Sequence, residues 1–492
     1  MNQDRRADTG LDRLPGELVD WLAKPFASFL RIEAAGGAIL LVVTIAALVL
    51  SNSPWAEQFL TFWELPVGIR IGSLEAARSL RDWINDALMT LFFFVVALEL
   101  KRELVLGELR NPRMAALSIA AAAGGMLVPA AIYVVMQWGQ EGAHGWGIAM
   151  ATDTAFVIGC LAVLGRRIPQ SLRVFMLSLA IVDDIGAILV VAIGYGGQLD
   201  FAALAFGGLA IAIVLGMGLL GIRSIPMYFL VGSLTWLAVD ASGIHATVTG
   251  VILGLLTPTR RWVSEERLRA ILDRVVAYPA DHWSGDTEDR KALRLAEVAA
   301  RETLSPVERL EIMLHPWVGF VIMPLFAFAN AGVPISAADL RDPIATAVFF
   351  GLTLGKPLGV ITFSWLAVRS GIAVRPPSLD WGMVAGGGML AGIGFTMALF
   401  IAGLAFGDDH LNAAKLGIVS ASVVSAVLGT ALLAWLSSSR RVRGVEGRRQ
   451  HDASNNRPLI QLEKAKRNSF GPCQQPGEKS RLQRGFRARP AG

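Results

Sequence analysis

The chain has 492 residues, 53% of them hydrophobic and 17% charged, with a formal net charge of +5. A soluble domain carries about 25% charged residues, and apolar runs of about 20 residues, long enough to cross hydrocarbon, recur along this chain. A soluble globular protein is therefore excluded, and an all-α polytopic membrane protein is indicated.

The first segment, 1–30, is polar and charged and lacks the basic, apolar and cleavage regions of a signal peptide. Twelve apolar spans follow, approximately 31–51, 83–103, 113–137, 145–165, 173–195, 200–221, 225–240, 243–258, 316–333, 343–368, 380–406 and 410–438. The loop 101–113 supplies Lys101, Arg102, Arg110 and Arg113, and the next loop on that side supplies Arg166, Arg167 and Arg173. Arg223, Arg369, Arg375 and the tail fall on the same side. The opposite loops 138–144, 196–199 and 241–242 hold no Lys or Arg, so both termini are expected in the cytoplasm. The segment 52–82 departs from this pattern, placing Arg70, Arg78 and Arg81 outside among four acidic residues. It is too polar for a span. Alternation around Pro66–Gly72 is consistent with an external hairpin, marginal alone and so suited to pairing with a second protomer, or with a plain surface loop.

The segment 259–312 holds 10 basic and 11 acidic residues and reads as a solvated or interfacial helical insertion on the cytoplasmic side. The tail 439–492 has 14 Lys/Arg against 4 Asp/Glu and the composition of a disordered segment. Its charge suits anionic lipid or the positive-inside bias better than nucleic acid. The two cysteines, Cys160 and Cys473, cannot build a disulfide or metal framework, and no cofactor is expected.

An ionisable group within a span costs about 2.5–3.5 kcal/mol on insertion scales. Four stand near mid-span: Asp153, Asp183, Asp184 and Lys356. Asp183 lies ten residues after Arg173, and Lys356 fourteen after Asp342. Three acids and one base at one depth point to a single buried polar site, although one acid with Lys356 could equally form a structural ion pair. Adjacent helix residues diverge by about 100°, so Asp183 and Asp184 can border one cavity. They supply oxygens for a hard cation, which Thr152 and freed carbonyls could complete. Two carboxylates in low dielectric resist ionising together, so protons and a cation would compete for them.

Two spans also look broken. The fourth has Thr152, Asp153 and Thr154 in succession, and the eleventh has Gly386, Gly387, Gly388, Gly392 and Gly394, more glycines than close helix packing alone accounts for. Unwound backbone at this depth survives only when buried in protein or lining a cavity. It leaves helix termini whose partial charges Asp153 and Lys356 are suited to balance.

The stretches "WINDALMTLFFFVVALELKREL", "ATDTAFVIGCLAVLG", "LAIVDDIGAI", "GIHATVTGVILG", "FAFANAGV", "LGKPLGV" and "GIGFTM" together resemble the NhaA family of bacterial sodium/proton antiporters, over nearly all of 25–438. The resemblance implies inverted repeats with two discontinuous, crossed helices, the fourth and eleventh. It implies electrogenic exchange of cytoplasmic Na⁺ or Li⁺ for external H⁺, serving pH and sodium homeostasis and salt tolerance at the bacterial inner membrane. Asp183 and Asp184, with Thr152, would bind cation and protons, and Asp153 and Lys356 would balance the half-helices. Lys356 would either carry a proton or serve structure. A pH-sensing group would draw on Glu99, Glu103, His245, Glu311 and His315, and a homodimer would form through 52–82. This chain departs from the family at Ile312, where a second His is expected, and in the length of the insertion and tail.

Two rival readings fit less well. A membrane aspartyl hydrolase places its acids on different helices and carries a Gly-x-Gly-Asp signature absent here. A passive cation channel does not explain the buried Lys356.

Overall fold

A computed structural model describes residues 33–438, save 72–73, 106, 108–111, 198, 223, 277–286, 337 and 408–409. The segments 1–30 and 439–492, and part of the 259–312 insertion, thus lie outside the described residues. Among the described residues seven helices are long and apolar enough to cross a membrane, or up to ten if each of three bent pairs is one span, and two apolar helices, Ile225–Ala241 and Thr247–Leu256, are shorter. The helical polytopic class is borne out, and each of the twelve spans read from the sequence overlaps one of these helices or bent pairs, the seventh and eighth falling on the two short ones.

The chain opens with α1 (Glu33–Ser51) and α2 (Ala56–Trp63), which turn through 118° at the break between them. An antiparallel hairpin follows, β1 (Pro66–Ile71) with β2 (Leu74–Ser79), in which Val67 faces Arg78 and Ile69 faces Ala76. Ser79 and Asp82 then form a capping box. This starts α3 (Leu80–Val105) three residues before the expected span. Next come α4 (Pro112–Met136), a 3-10 segment Glu141–Met150, α5 (Thr154–Leu164), α6 (Gln170–Gly194), α7 (Phe201–Leu219), α8 (Ile225–Ala241) and α9 (Thr247–Leu256). The insertion contributes α10 (Glu265–Val276) and α11 (Thr287–Glu302). The last elements are α12 (Pro306–Asn330), α13 (Pro343–Arg369), α14 (Trp381–Ala391), α15 (Phe395–Ala405) and α16 (His410–Ser438).

One boundary moves. The insertion was expected to reach 312 and the ninth span to begin at 316, but α12 starts at Pro306. Ser305 and Glu308 form a capping box there, and the helix continues through Pro316 into a π-turn at Val318–Ile322. A proline interrupts the ladder of hydrogen bonds, and a wider turn is one way to carry a helix past it.

The surface is apolar in the manner of a protein that faces hydrocarbon: Leu219 is 90% exposed and Ile193 84%. Inside, small residues let helices approach. Gly124 on α4 and Gly359 on α13 face each other, and a Cβ on Gly359 would fall 2.0 Å from the Gly124 carbonyl oxygen. One turn away, a π-turn at Gly351–Gly355 widens α13 just before Lys356, and a Cβ on its Gly355 would meet Pro129 Cα at 2.7 Å. This packing of α4 against α13 fixes the depth and heading of Lys356.

Candidate functional site

The fourth and eleventh spans break as expected, bending by 42° between Met150 and Thr154 and by 45° between Ala391 and Phe395. The two breaks meet. The Asp153 N–H donates to Ile393 O at 2.6 Å, and the Thr152 hydroxyl donates to Ala391 O at 2.9 Å. Backbone groups left without intrahelical partners at one break are thus satisfied by the other, as burial requires.

Asp153 is fully buried and serves two helices at once. As N-cap of α5 it accepts from Phe156 N at 3.2 Å. It also accepts from the Thr396 backbone N–H at 3.0 Å and from the Thr396 hydroxyl. Both N-termini converge on this one carboxylate, where negative charge is favoured. Ser422 of α16 accepts the remaining contact, from Phe395 N at 3.2 Å.

Only two of the five glycines stand at the break. Gly386, Gly387 and Gly388 are helical residues of α14, and a Cβ on them would meet Leu433 at 2.6 Å, Met176 at 2.6 Å and Pro357 at 3.1 Å respectively. Gly392 lies where a Cβ would fall 2.6 Å from Leu352 O. Close approach of neighbours explains these four, and the expectation that packing could not account for the run is corrected. The break itself follows from the contacts with Thr152 and Asp153.

Lys356 and Asp183 form an ion pair at 2.6 Å, each side chain only 1% exposed. The ammonium also donates to the Thr152 hydroxyl at 2.8 Å. Lys356 therefore reaches the half-helix end indirectly, through Thr152 to Ala391 O. Among the described residues, the second Asp183 oxygen, Oδ1, is buried with no hydrogen-bond partner. Asp184, one residue on, is also buried, and its hydrogen bond among the described residues comes from the Thr154 hydroxyl at 3.4 Å. That is long for an O–H···O contact. The structure thus brings Thr152, Asp153, Asp183, Asp184 and Lys356 together. The threonine beside Asp184, however, is Thr154; Thr152 spends its proton on Ala391 O and one lone pair on Lys356. Sequence reading singled out Thr152 and passed over Thr154, Thr396 and Ser422. The succession Thr152–Asp153–Thr154 was the available signal for the first of these.

A second charged group joins α3 to α12 at their predicted cytoplasmic ends. Arg102 bonds Glu311 directly and Glu103 at 3.2 Å, and His315 Nε2 stands 3.5 Å from Glu99 Oε1. Lys101 is separately tied to Leu255 O and Thr257 O, each at 2.6 Å. His245 is not with this group. Its Nδ1 lies 2.9 Å from the Thr247 hydroxyl and its ring packs edge-on to Phe400, 5.6 Å between centroids. It precedes α9, the helix whose other end carries Lys101's acceptors, so helix length separates it from Glu99.

The family described as Na⁺/H⁺ antiporter 1 matches residues 27–433. The Na(+)/H(+) antiporter NhaA 3 of Acidiphilium cryptum is 61% identical over 450 residues, covering 91% of this chain and 99% of its own. The NhaA of Rhizobium meliloti is 61% identical over 432 residues, covering 88% and 99%. The NhaA 2 of Vibrio vulnificus is 56% identical over 438 residues, covering 89% and 98%. The chain is a multi-pass membrane protein belonging to the NhaA family of Na⁺/H⁺ antiporters.

Proposed function

We propose that this chain is a secondary active transporter that exchanges Na⁺ or Li⁺ for H⁺, extruding cytoplasmic sodium against an inward proton flux for pH and sodium homeostasis. The observation that carries the reading is one juxtaposition. A buried Lys356–Asp183 ion pair stands beside Asp184, a buried carboxylate whose bond from Thr154 is 3.4 Å long. The relatives named as Na(+)/H(+) antiporters support it.

In this reading the cation is held by Asp184 and by the unpartnered Oδ1 of Asp183, and it competes there with protons. A cation drawn onto Asp183 weakens that carboxylate's hold on Lys356. An ammonium left uncompensated in a dry site is costly, and release of its proton relieves the cost. Proton loss from both Asp184 and Lys356 then gives more than one H⁺ per Na⁺, so net charge moves. Asp153 and Thr152 hold the crossed breaks in place. Glu99, Glu103, Glu311 and His315 form the group through which cytoplasmic pH acts, with His245 outside it. The ions are substrates, and no cofactor enters. The protein resides in a bacterial inner membrane with both termini cytoplasmic, dimerises through 52–82, and touches anionic lipid through its basic tail.

The test is direct. Everted vesicles carrying the chain should lose a preformed ΔpH when Na⁺ or Li⁺ is added. Asp184→Asn should abolish this at an unchanged amount of protein in the membrane; exchange that survives the substitution removes Asp184 from the site.

A further inference from the structure

We propose that Thr154 supplies a third side-chain oxygen to the transported cation and sets the preference between Na⁺ and Li⁺. The inference rests on the reading of Asp184 as the cation carboxylate.

Three observations lead to it. The first concerns what the hydroxyl can do. Several threonines inside this protein's helices send their hydroxyls back to the carbonyl four residues earlier, as Thr44 does to Leu40 O, Thr235 to Val231 O and Thr353 to Phe349 O. Thr154 is the first residue of α5, and no helical turn precedes it to supply such an acceptor. Its partner among the described residues is Asp184 Oδ2.

The second is distance. A hydroxyl–carboxylate hydrogen bond settles near 2.6–2.8 Å, whereas this pair stands 3.4 Å apart. Hard cations the size of Na⁺ hold oxygens at about 2.4 Å, judging from Ca²⁺, an ion of similar radius. Two oxygens 3.4 Å apart both meet such an ion at that distance when the angle at the ion is about 90°, an ordinary angle for octahedral coordination. The gap is loose for a hydrogen bond and suited to a shared cation.

The third is preorganisation. The backbone just before Thr154 is pinned by Asp153, through its N–H to Ile393 O and its carboxylate to Phe156 N and Thr396 N. A β-branched side chain has few χ1 choices, so the hydroxyl is held toward Asp184 before any ion arrives. With the cation absent the hydroxyl donates to Asp184. With it present the lone pairs face the ion and the proton turns away. Larger hard ions take more oxygens than smaller ones, so loss of one neutral donor should weaken Na⁺ more than Li⁺.

Thr154→Val removes the hydroxyl and keeps the shape; Thr154→Ser keeps the hydroxyl. In everted vesicles, Thr154→Val should raise KM for Na⁺ about tenfold, the effect of one lost oxygen contact. KM for Li⁺ should rise less, Vmax should fall less than threefold, and Thr154→Ser should stay within about twofold of the parent in KM. Sodium-dependent thermal stabilisation of the purified protein reads the same shift without transport, and Thr154→Ala serves there if the valine variant accumulates poorly. A parental KM and stabilisation midpoint in the hydroxyl-free variants, with Asp184→Asn inactive, overturns the role of Thr154 alone. An active Asp184→Asn overturns the underlying site as well.

Discussion

Removing the ammonium of Lys356 is the perturbation whose consequences follow most directly from the buried ion pair. Lys356→Met keeps the length and apolar stem of the side chain and deletes its charge. Asp183 then loses a 2.6 Å ion-pair partner, leaving a carboxylate among fully buried neighbours whose Oδ1 already lacks one. Breaking a buried pair from one side costs about 3–5 kcal/mol, whereas replacing both partners by neutral groups of similar size is often neutral or stabilising. Asp183→Asn alone strands the ammonium and should cost a similar amount. The double variant should return to within about 1–2 kcal/mol of the parent, a coupling energy that a double-mutant cycle reads. The assay is thermal unfolding of the detergent-solubilised protein at one fixed scan rate, with all four proteins compared at one pH. If the two losses simply add in the double variant, the ion pair is not what holds these side chains in place. Vesicle assays on the same set separate stability from transport: Lys356→Arg should melt near the parent if charge alone matters to the fold, and should lose exchange if Lys356 must release a proton.

Other predictions follow from packing and surface geometry. Gly359→Ala would place a methyl 2.0 Å from the Gly124 carbonyl oxygen and should cost about 3 kcal/mol or more, the range of severe overpacking, seen as a lowered melting temperature and poor accumulation. Arg78 bonds both Asp86 and Asp240 and ties the hairpin to α3 and α8, which raises its already high pKa further. Arg78→Ala should cost about 1 kcal/mol, as partly exposed pairs do, yet lower the dimer fraction in native mass spectrometry if the hairpin mediates pairing. Glu99→Gln and His315→Ala should shift the pH of half-maximal exchange, and His245→Ala should not. Superimposable pH profiles for the first two variants would take the Arg102–Glu311 group out of regulation.

Much of this architecture is legible in the sequence because hydrocarbon is a strict solvent. Charges such as Asp153 and Lys356 are too costly there to be incidental, so their shared depth pointed to the one buried cluster they form, and the succession Thr152–Asp153–Thr154 marked the broken fourth span. What stayed hidden depends on helix phase and on contacts between distant segments. The π-turn at Gly351–Gly355 adds a residue to one turn and rotates everything beyond it, so the heading of Lys356 could not be read by counting from Asp342. The same uncertainty of phase concealed which threonine faces Asp184. His245 was grouped with Glu99 by resemblance, whereas the structure sets its ring against Phe400 of α15, far away in the sequence. The glycines of α14 looked like breakers because their partners, Leu433, Met176 and Pro357, lie on three other helices.

One carboxylate, Asp153, closes the N-terminal ends of both α5 and α15. Pulling the two crossed spans apart would strip the Asp153 N–H of Ile393 O and the Thr396 N–H of the Asp153 carboxylate, each unsatisfied group costing several kcal/mol. The bonds between the two breaks therefore oppose any movement that separates the crossed spans at this depth.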